Sequence, residues 1–139
     1  MVSARQMMRR RSFGRIVTSV KVVDASALAA LIFSEPEADT IAGRLEGARL
    51  AAPSLLGYEL ANVCLVKIRR APDQAKTLRA AYGMAHRLRV EIVAVDPLGV
   101  LDLAETTELT AYDASYLWVA RSIGAELVTL DRKLAAAVT

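Results

Sequence analysis

The sequence predicts an α/β fold in one domain, with a central parallel sheet of four to five short strands flanked by helices. Three observations predict it. Short β-branched runs alternate with longer helical stretches along the chain, the pattern of strands joined by helical crossovers. Hydrophobic residues make up 54% of the chain and aromatics only 5%, so the core is built from Ala, Val and Leu, which suits small-residue helices packed on a sheet. At 139 residues the chain is long enough for one sizeable core, and no internal repeat or linker-like stretch divides it.

The elements follow in order. Residues 20–24 read as a short buried strand and residues 25–33 as a helical turn or two after it. Residues 37–46 follow Pro36, which suits a helix N-terminus, and carry Ile41 and Leu45 at helical spacing. Residues 49–52 form a strand stopped by Pro53. Residues 54–70 read as a longer helix through Leu56, Leu60, Val63 and Leu65. Pro72 opens another, running to about residue 89 with Leu78, Tyr82, Ala85 and Leu88 on a stripe. Residues 91–95 (EIVAV) are a β-branched strand ended by Asp96-Pro97. Residues 98–105 and 114–123 are helical, the second ended by Gly124. Residues 126–129 are a strand and residues 132–137 a last short helix. In such a sheet the strand C-termini share one edge, where ligands of open α/β sheets bind. Asp24 ends the first strand and Asp131 follows the last.

The net charge of +3 divides unevenly. Residues 1–20 hold five Arg (Arg5, Arg9, Arg10, Arg11, Arg15) and no acid; the rest has 13 basic against 15 acidic residues, a net of about −2. The expected organisation is a flexible basic N-terminal extension over residues 1–19 and a folded domain over residues 20–139. The extension has transit-peptide composition but no apolar stretch for a secretory signal. It reads either as an upstream start or as an Arg-rich arm that attracts phosphate. The longest apolar run, residues 27–33, is far too short to span a bilayer. The single cysteine, Cys64, excludes an internal disulfide, and no Cys/His pair has zinc-ligand spacing. A reducing, cytoplasmic setting fits best, with no membrane partner.

Four carboxylates hold the chemical interest. Each has an ordinary structural reading: Asp24, Asp113 and Asp131 as helix caps, and Glu59 as a first-turn acid facing a helix dipole. Jointly they read differently. Glu59 is flanked by Tyr58 and Leu60, Asp113 by Tyr112 and Ala114, and Asp24 and Asp131 adjoin sheet-core residues. If helix starts and strand ends converge on one edge, the four share a pocket. Two carboxylates ~4 Å apart repel by about 4 kcal/mol at an effective dielectric near 20. Such a pocket needs shifted pKa values or bound cations. With no thiolate or imidazole nearby, Mg²⁺ or Mn²⁺ is the natural counter-charge, and two such ions can promote phosphodiester hydrolysis. Ser26 and Thr129 stand two residues from Asp24 and Asp131, and Asn62 three from Glu59. These three read equally as second partners of the acids or as ordinary capping and helix-edge polarity.

The stretches VVDASAL, YELANV, AYDASYLWVA and VTLDRKL, in this order and spacing, resemble a PIN-domain ribonuclease, and more narrowly the VapC-type toxins of type II toxin–antitoxin pairs. The resemblance spans residues 20 to 134. It implies a PIN-like fold and a Mg²⁺- or Mn²⁺-dependent endoribonuclease acting on RNA. It carries the family's acidic quartet onto Asp24, Glu59, Asp113 and Asp131 as catalytic and metal-binding residues, and its hydroxyl positions onto Ser26 and Thr129. It also implies a homodimer and a small antitoxin partner that directs a basic side chain at the acidic site. The chain departs from the family pattern in its basic N-terminal arm and in having only residues 135–139 for a further strand.

Two other classes remain open. A strand-end Asp also suits an aspartyl phosphatase, although such enzymes carry a second Asp two residues on, where this chain has Ser26. The other is a non-catalytic divalent-metal-binding interaction module of PIN-like or receiver-like fold. Away from the quartet, His86 reads as a surface or partly buried helix residue, Cys64 as core, and Tyr116, Leu117 and Trp118 as packing or dimer surface. Lys67, Arg69 and Arg70 suit a helix C-terminus and equally an RNA-phosphate contact.

Overall fold

The first strand, β1 (Ser19–Val23), lies inside the sheet. Successive strand side chains point to opposite faces, so the full burial of both Val22 and Val23 requires cover on both sides. The computed structural model describes residues 3–7 and 19–138. Among them the sheet has four strands in the order β3-β2-β1-β4, all parallel. β2 (Ala48–Ala52) pairs with β1 from Ser19 opposite Ala48 to Val22 opposite Ala51. On the other side β4 (Glu126–Val128) pairs from Lys21 opposite Glu126 to Val23 opposite Val128. β3 (Glu91–Ile92) is a two-residue edge strand beside β2, and the Val93 amide prolongs it by donating to the Ala52 carbonyl at 2.9 Å. A fifth strand is absent among the described residues, since the chain end forms a helix instead.

Helices α1 (Ala25–Ile32) and α2 (Ala38–Leu45) join β1 to β2, and α3 (Leu55–Arg70) starts the connection from β2 to β3. The single helix expected over residues 72–89 is divided. A 3₁₀ turn (Pro72–Gln74) leads into α4 (Ala75–Gly83), and a second 3₁₀ segment (Met84–Leu88) ends at Arg89 with φ 50. α4 buries none of its residues, and the tighter winding after it re-phases the chain so that Leu88 enters the core. α5 (Pro97–Thr107) and α6 (Ala111–Ile123) pair closely: a Cβ on Gly99 would lie 2.6 Å from Nε1 of Trp118. Gly124, at φ 65, closes α6 while the Ala125 amide bonds the Ala120 carbonyl at 2.8 Å, and β4 follows. α7 (Arg132–Ala137) is last.

Residues 4–7 form a helical turn against this body. Met7 is buried, and the Ala4 amide donates to Oδ1 of Asp39 at 2.9 Å. Most of the basic extension assigned to residues 1–19 lies outside the described residues, including Arg9, Arg10, Arg11 and Arg15. No helix among the described residues is long and apolar enough to cross a membrane.

Candidate active site

The topology delivers all four acids to one edge. Asp24 follows the end of β1, and Asp131 stands three residues beyond the end of β4. α3 begins just past the C-terminus of β2. α6 ends where β4 begins, so its own start lies at the opposite edge, beside the strand C-termini. β1 is where the strand order reverses, since β2 and β4 leave from its two sides. The crevice between β1 and β4 is therefore the switch point at which open α/β sheets bind ligands.

Asp24 is only 5% exposed and both its oxygens are engaged. Oδ1 accepts from the Ser26 hydroxyl at 2.7 Å and from the Ala27 amide at 3.0 Å, which caps α1. Oδ2 accepts from the Thr129 hydroxyl at 2.5 Å. Ser26 Oγ in turn accepts from the Leu130 amide at 2.9 Å, and Thr129 Oγ1 from the Asp131 amide at 3.0 Å. Two hydroxyls thus tie the ends of β1 and β4 around a single buried carboxylate. Asp131 caps α7 by accepting from the Leu134 amide at 3.0 Å. The capping role and the convergence expected from the sequence hold together for these two acids.

Two expectations need correction. Asp113 is not the cap of its helix: Thr110 is, its hydroxyl accepting from the Asp113 amide at 3.1 Å, so Asp113 stands in the first turn. A Thr three residues before the acid fills the cap position one turn earlier than the acid itself would. Glu59 is not in the first turn of α3, which begins at Leu55. It stands a full turn inside, where its Oε1 accepts from the phenol of Tyr116 on α6 at 2.5 Å. Asn62 is exposed, and among the described residues no hydrogen bond joins it to the acids.

The carboxylates feel one another. Burial raises the pKa of Glu59 first, and the charges of Asp113 and Asp24 add to it, against the Tyr116 hydrogen bond that lowers it. Asp113 is likewise raised by burial, then by Asp131 and Asp24, while Thr110 and Lys133 oppose the shift. Tyr116 is driven upward by burial, by its bond to Glu59 and by the surrounding acids, so its phenol keeps its proton. The site donors are oxygens throughout, since His86 is exposed on the Met84–Leu88 segment and Cys64 is buried against the Leu78 carbonyl. That set suits a hard divalent cation. Among the described residues no three His, Cys, Asp or Glu side chains are near enough together to hold one ion as they stand. Glu59, Asp113 and Asp131 are half-buried, so a cation reaching this edge would have to draw them together.

Tyr116 and Thr110 have roles here that their sequence setting does not announce. Tyr116 sits within an apolar stripe and reads as packing; its place three residues after Asp113, on the same helix face, was the available signal. Lys67 bonds Glu35 at 2.8 Å and lies 5.3 Å from the centre of the Phe33 ring, so it is held at the C-terminal end of α3, away from the acids.

Comparison with known proteins agrees with this architecture. Residues 21–138 match the PIN domain family. Ribonuclease VapC3 of Pyrobaculum aerophilum is 35% identical over 119 residues, covering 82% of this chain and 91% of that protein. The crystal structure of PAE2754 from Pyrobaculum aerophilum is similar at a TM-score of 0.64 and 29% identity, over 87% of this chain and 81% of that one. The chain belongs to the PIN-domain family and, within it, to the VapC-type ribonucleases.

Proposed function

We propose that the protein is a Mg²⁺- or Mn²⁺-dependent endoribonuclease and the toxin of a toxin–antitoxin pair. The observation that carries this reading is the convergence of Glu59, Asp113, Asp24 and Asp131 at the switch point, where burial first and then the charge of their neighbours raise the pKa values of Glu59 and Asp113. Such a cluster is unfavourable without a counter-charge and suited to one. A divalent ion held by these carboxylates would supply Lewis acidity toward a phosphodiester. Asp24, fixed by Ser26 and Thr129, keeps its carboxylate in one orientation at the floor of the site. Glu59 and Asp113, raised above their ordinary values first by burial, are stronger bases than free carboxylates and suited to take a proton from an attacking water. Oε1 of Glu59 is held by Tyr116, which leaves Oε2 for that work.

RNA as substrate, a protein antitoxin, a homodimer and a cytoplasmic setting belong to the same reading. Leu98 and Leu101 are exposed on α5, and a groove of about 470 Å³ is lined by Gly99, Leu103, Trp118 and Arg121; each supplies apolar surface for a protein contact. The aspartyl-phosphatase alternative is disfavoured, because an Asp24 with both oxygens bonded is poorly placed to attack phosphorus.

The test is cleavage of total cellular RNA by the purified wild type, Asp24→Asn and Asp113→Asn, with Mg²⁺, Mn²⁺ or EDTA. Discrete fragments that need the metal, and a loss of at least about 100-fold in each variant, are expected. Cleavage that survives both substitutions and EDTA would overturn the proposal. Folded protein that binds the ion without cutting RNA would favour a non-catalytic module.

A further inference from the structure

Asp24, Asp131 and Glu59 each have a side-chain tether, and that of Glu59 is unlike the other two. Asp24 is held by two hydroxyls and an amide, and Asp131 by an amide of its own helix. Those contacts come from residues within a few positions or from the paired strand ends. Glu59 has a longer, more freely rotating side chain, stands in the second turn of α3 rather than at a helix start, and is half-buried. Its one side-chain hydrogen bond among the described residues comes from Tyr116, 57 positions along the chain.

Tyr116 is 1% exposed, among the largest fully buried side chains of the molecule. A buried phenol is costly unless its hydroxyl finds a partner, and a Phe would fill the same space without that requirement. The hydroxyl therefore serves the acid it meets. The ring is locked by the core, has only two side-chain torsions, and projects from the face of α6 that also carries Asp113 one turn earlier. One helix thus supplies a carboxylate to the site and, from the same face, the donor that holds a carboxylate of the facing helix.

We infer that Tyr116 is a positioning residue of the active site, whose hydroxyl pre-orders Glu59 at the acidic edge so that less of its side chain has to be ordered when the divalent ion arrives. The inference rests on the proposed metal-dependent ribonuclease reading. Tyr116 acts through Oε1 of Glu59, and among the described residues Oε2 accepts no hydrogen bond. Without the hydroxyl, the Glu59 side chain returns to the rotamers that solvent allows, and the ion must order it at the moment of binding.

The test is Mn²⁺ binding, followed by electron paramagnetic resonance of the free ion and by calorimetry, on wild type, Tyr116→Phe, Glu59→Gln and the double variant. Phe keeps the ring, so the thermal midpoint of Tyr116→Phe is compared with wild type to establish that the core is intact. Tyr116→Phe is expected to weaken Mn²⁺ binding about tenfold, on the scale of a supporting contact to a metal ligand. It is also expected to lower kcat on RNA while leaving KM for RNA unchanged. In the Glu59→Gln background the same change should have no further effect on Mn²⁺ binding, because the charged carboxylate through which it acts is already gone even though the amide oxygen can still accept from Tyr116. Binding by Tyr116→Phe within twofold of wild type, or an equal loss in the Glu59→Gln background, would overturn the inference while leaving the ribonuclease proposal in place. A wild type that neither binds Mn²⁺ nor cleaves RNA would overturn both.

Discussion

Glu59 and Asp113 ionise against two resistances, burial and the charge of their neighbours. Both pKa values lie above the ordinary 4.5 and 3.8. Between the ordinary and the raised values the folded chain therefore binds more protons than the unfolded one, and stability falls as pH rises through that window. Glu126 works the other way: its hydrogen bond to Arg44 lowers it, and its contribution is lost only as pH falls below about 4.5. In metal-free protein the thermal midpoint is expected to fall as pH rises from the ordinary carboxylate values of 4.5 and 3.8 through the raised ones, and combining Glu59→Gln with Asp113→Asn should flatten that slope. A slope of the opposite sign, unchanged by the pair, would show that these acids are not strained by one another. At this scale the acids themselves were legible, because each interrupts an apolar run. Their partners were not: the spacing of Tyr116 from Asp113 marks a shared helix face but not the Glu59 it bonds across 57 residues of chain, and a Thr before a helix does not show that it displaces the acid from the cap.

The α5–α6 pair depends on the missing side chain at Gly99. A Cβ there would stand 2.6 Å from Nε1 and 3.3 Å from Cδ1 of Trp118, and 3.3 Å from Oδ2 of Asp96, which caps α5. Gly99→Ala must push the indole or the cap aside, at a cost of about 1–3 kcal/mol. A lower thermal midpoint is expected, together with an altered emission spectrum, since Trp118 is the one tryptophan; an unchanged spectrum and midpoint would mean the two helices have room to part. Strands and long helices were readable from the sequence because burial imposes their periods, and β1, β2, β4, α3 and α7 begin and end within about two residues of expectation. The 91–95 run pairs over only two residues because an edge strand has a neighbour on one side alone. The break between α4 and the Met84–Leu88 turn was hidden because the same apolar stripe serves a straight helix and a re-wound one.

Over the whole molecule, the described part of the N-terminal segment is anchored to the body rather than appended to it. Met7 is buried, and Ala4 bonds Asp39 on α2. Met7→Ala is expected to lower stability by about 2–5 kcal/mol, read from the urea midpoint. A change within error of zero would mean the core closes without it. The parallel order β3-β2-β1-β4 leaves two rims, and both are brief: β3 gives two residues and β4 three. An unpaired strand rim is a template on which a foreign strand can be laid, and a long flat one is how ordered aggregates begin. Two or three residues offer too few free amides and carbonyls to hold a stranger in register. Copies of this protein crowded together therefore find, among the described residues, no long rail along which to zip.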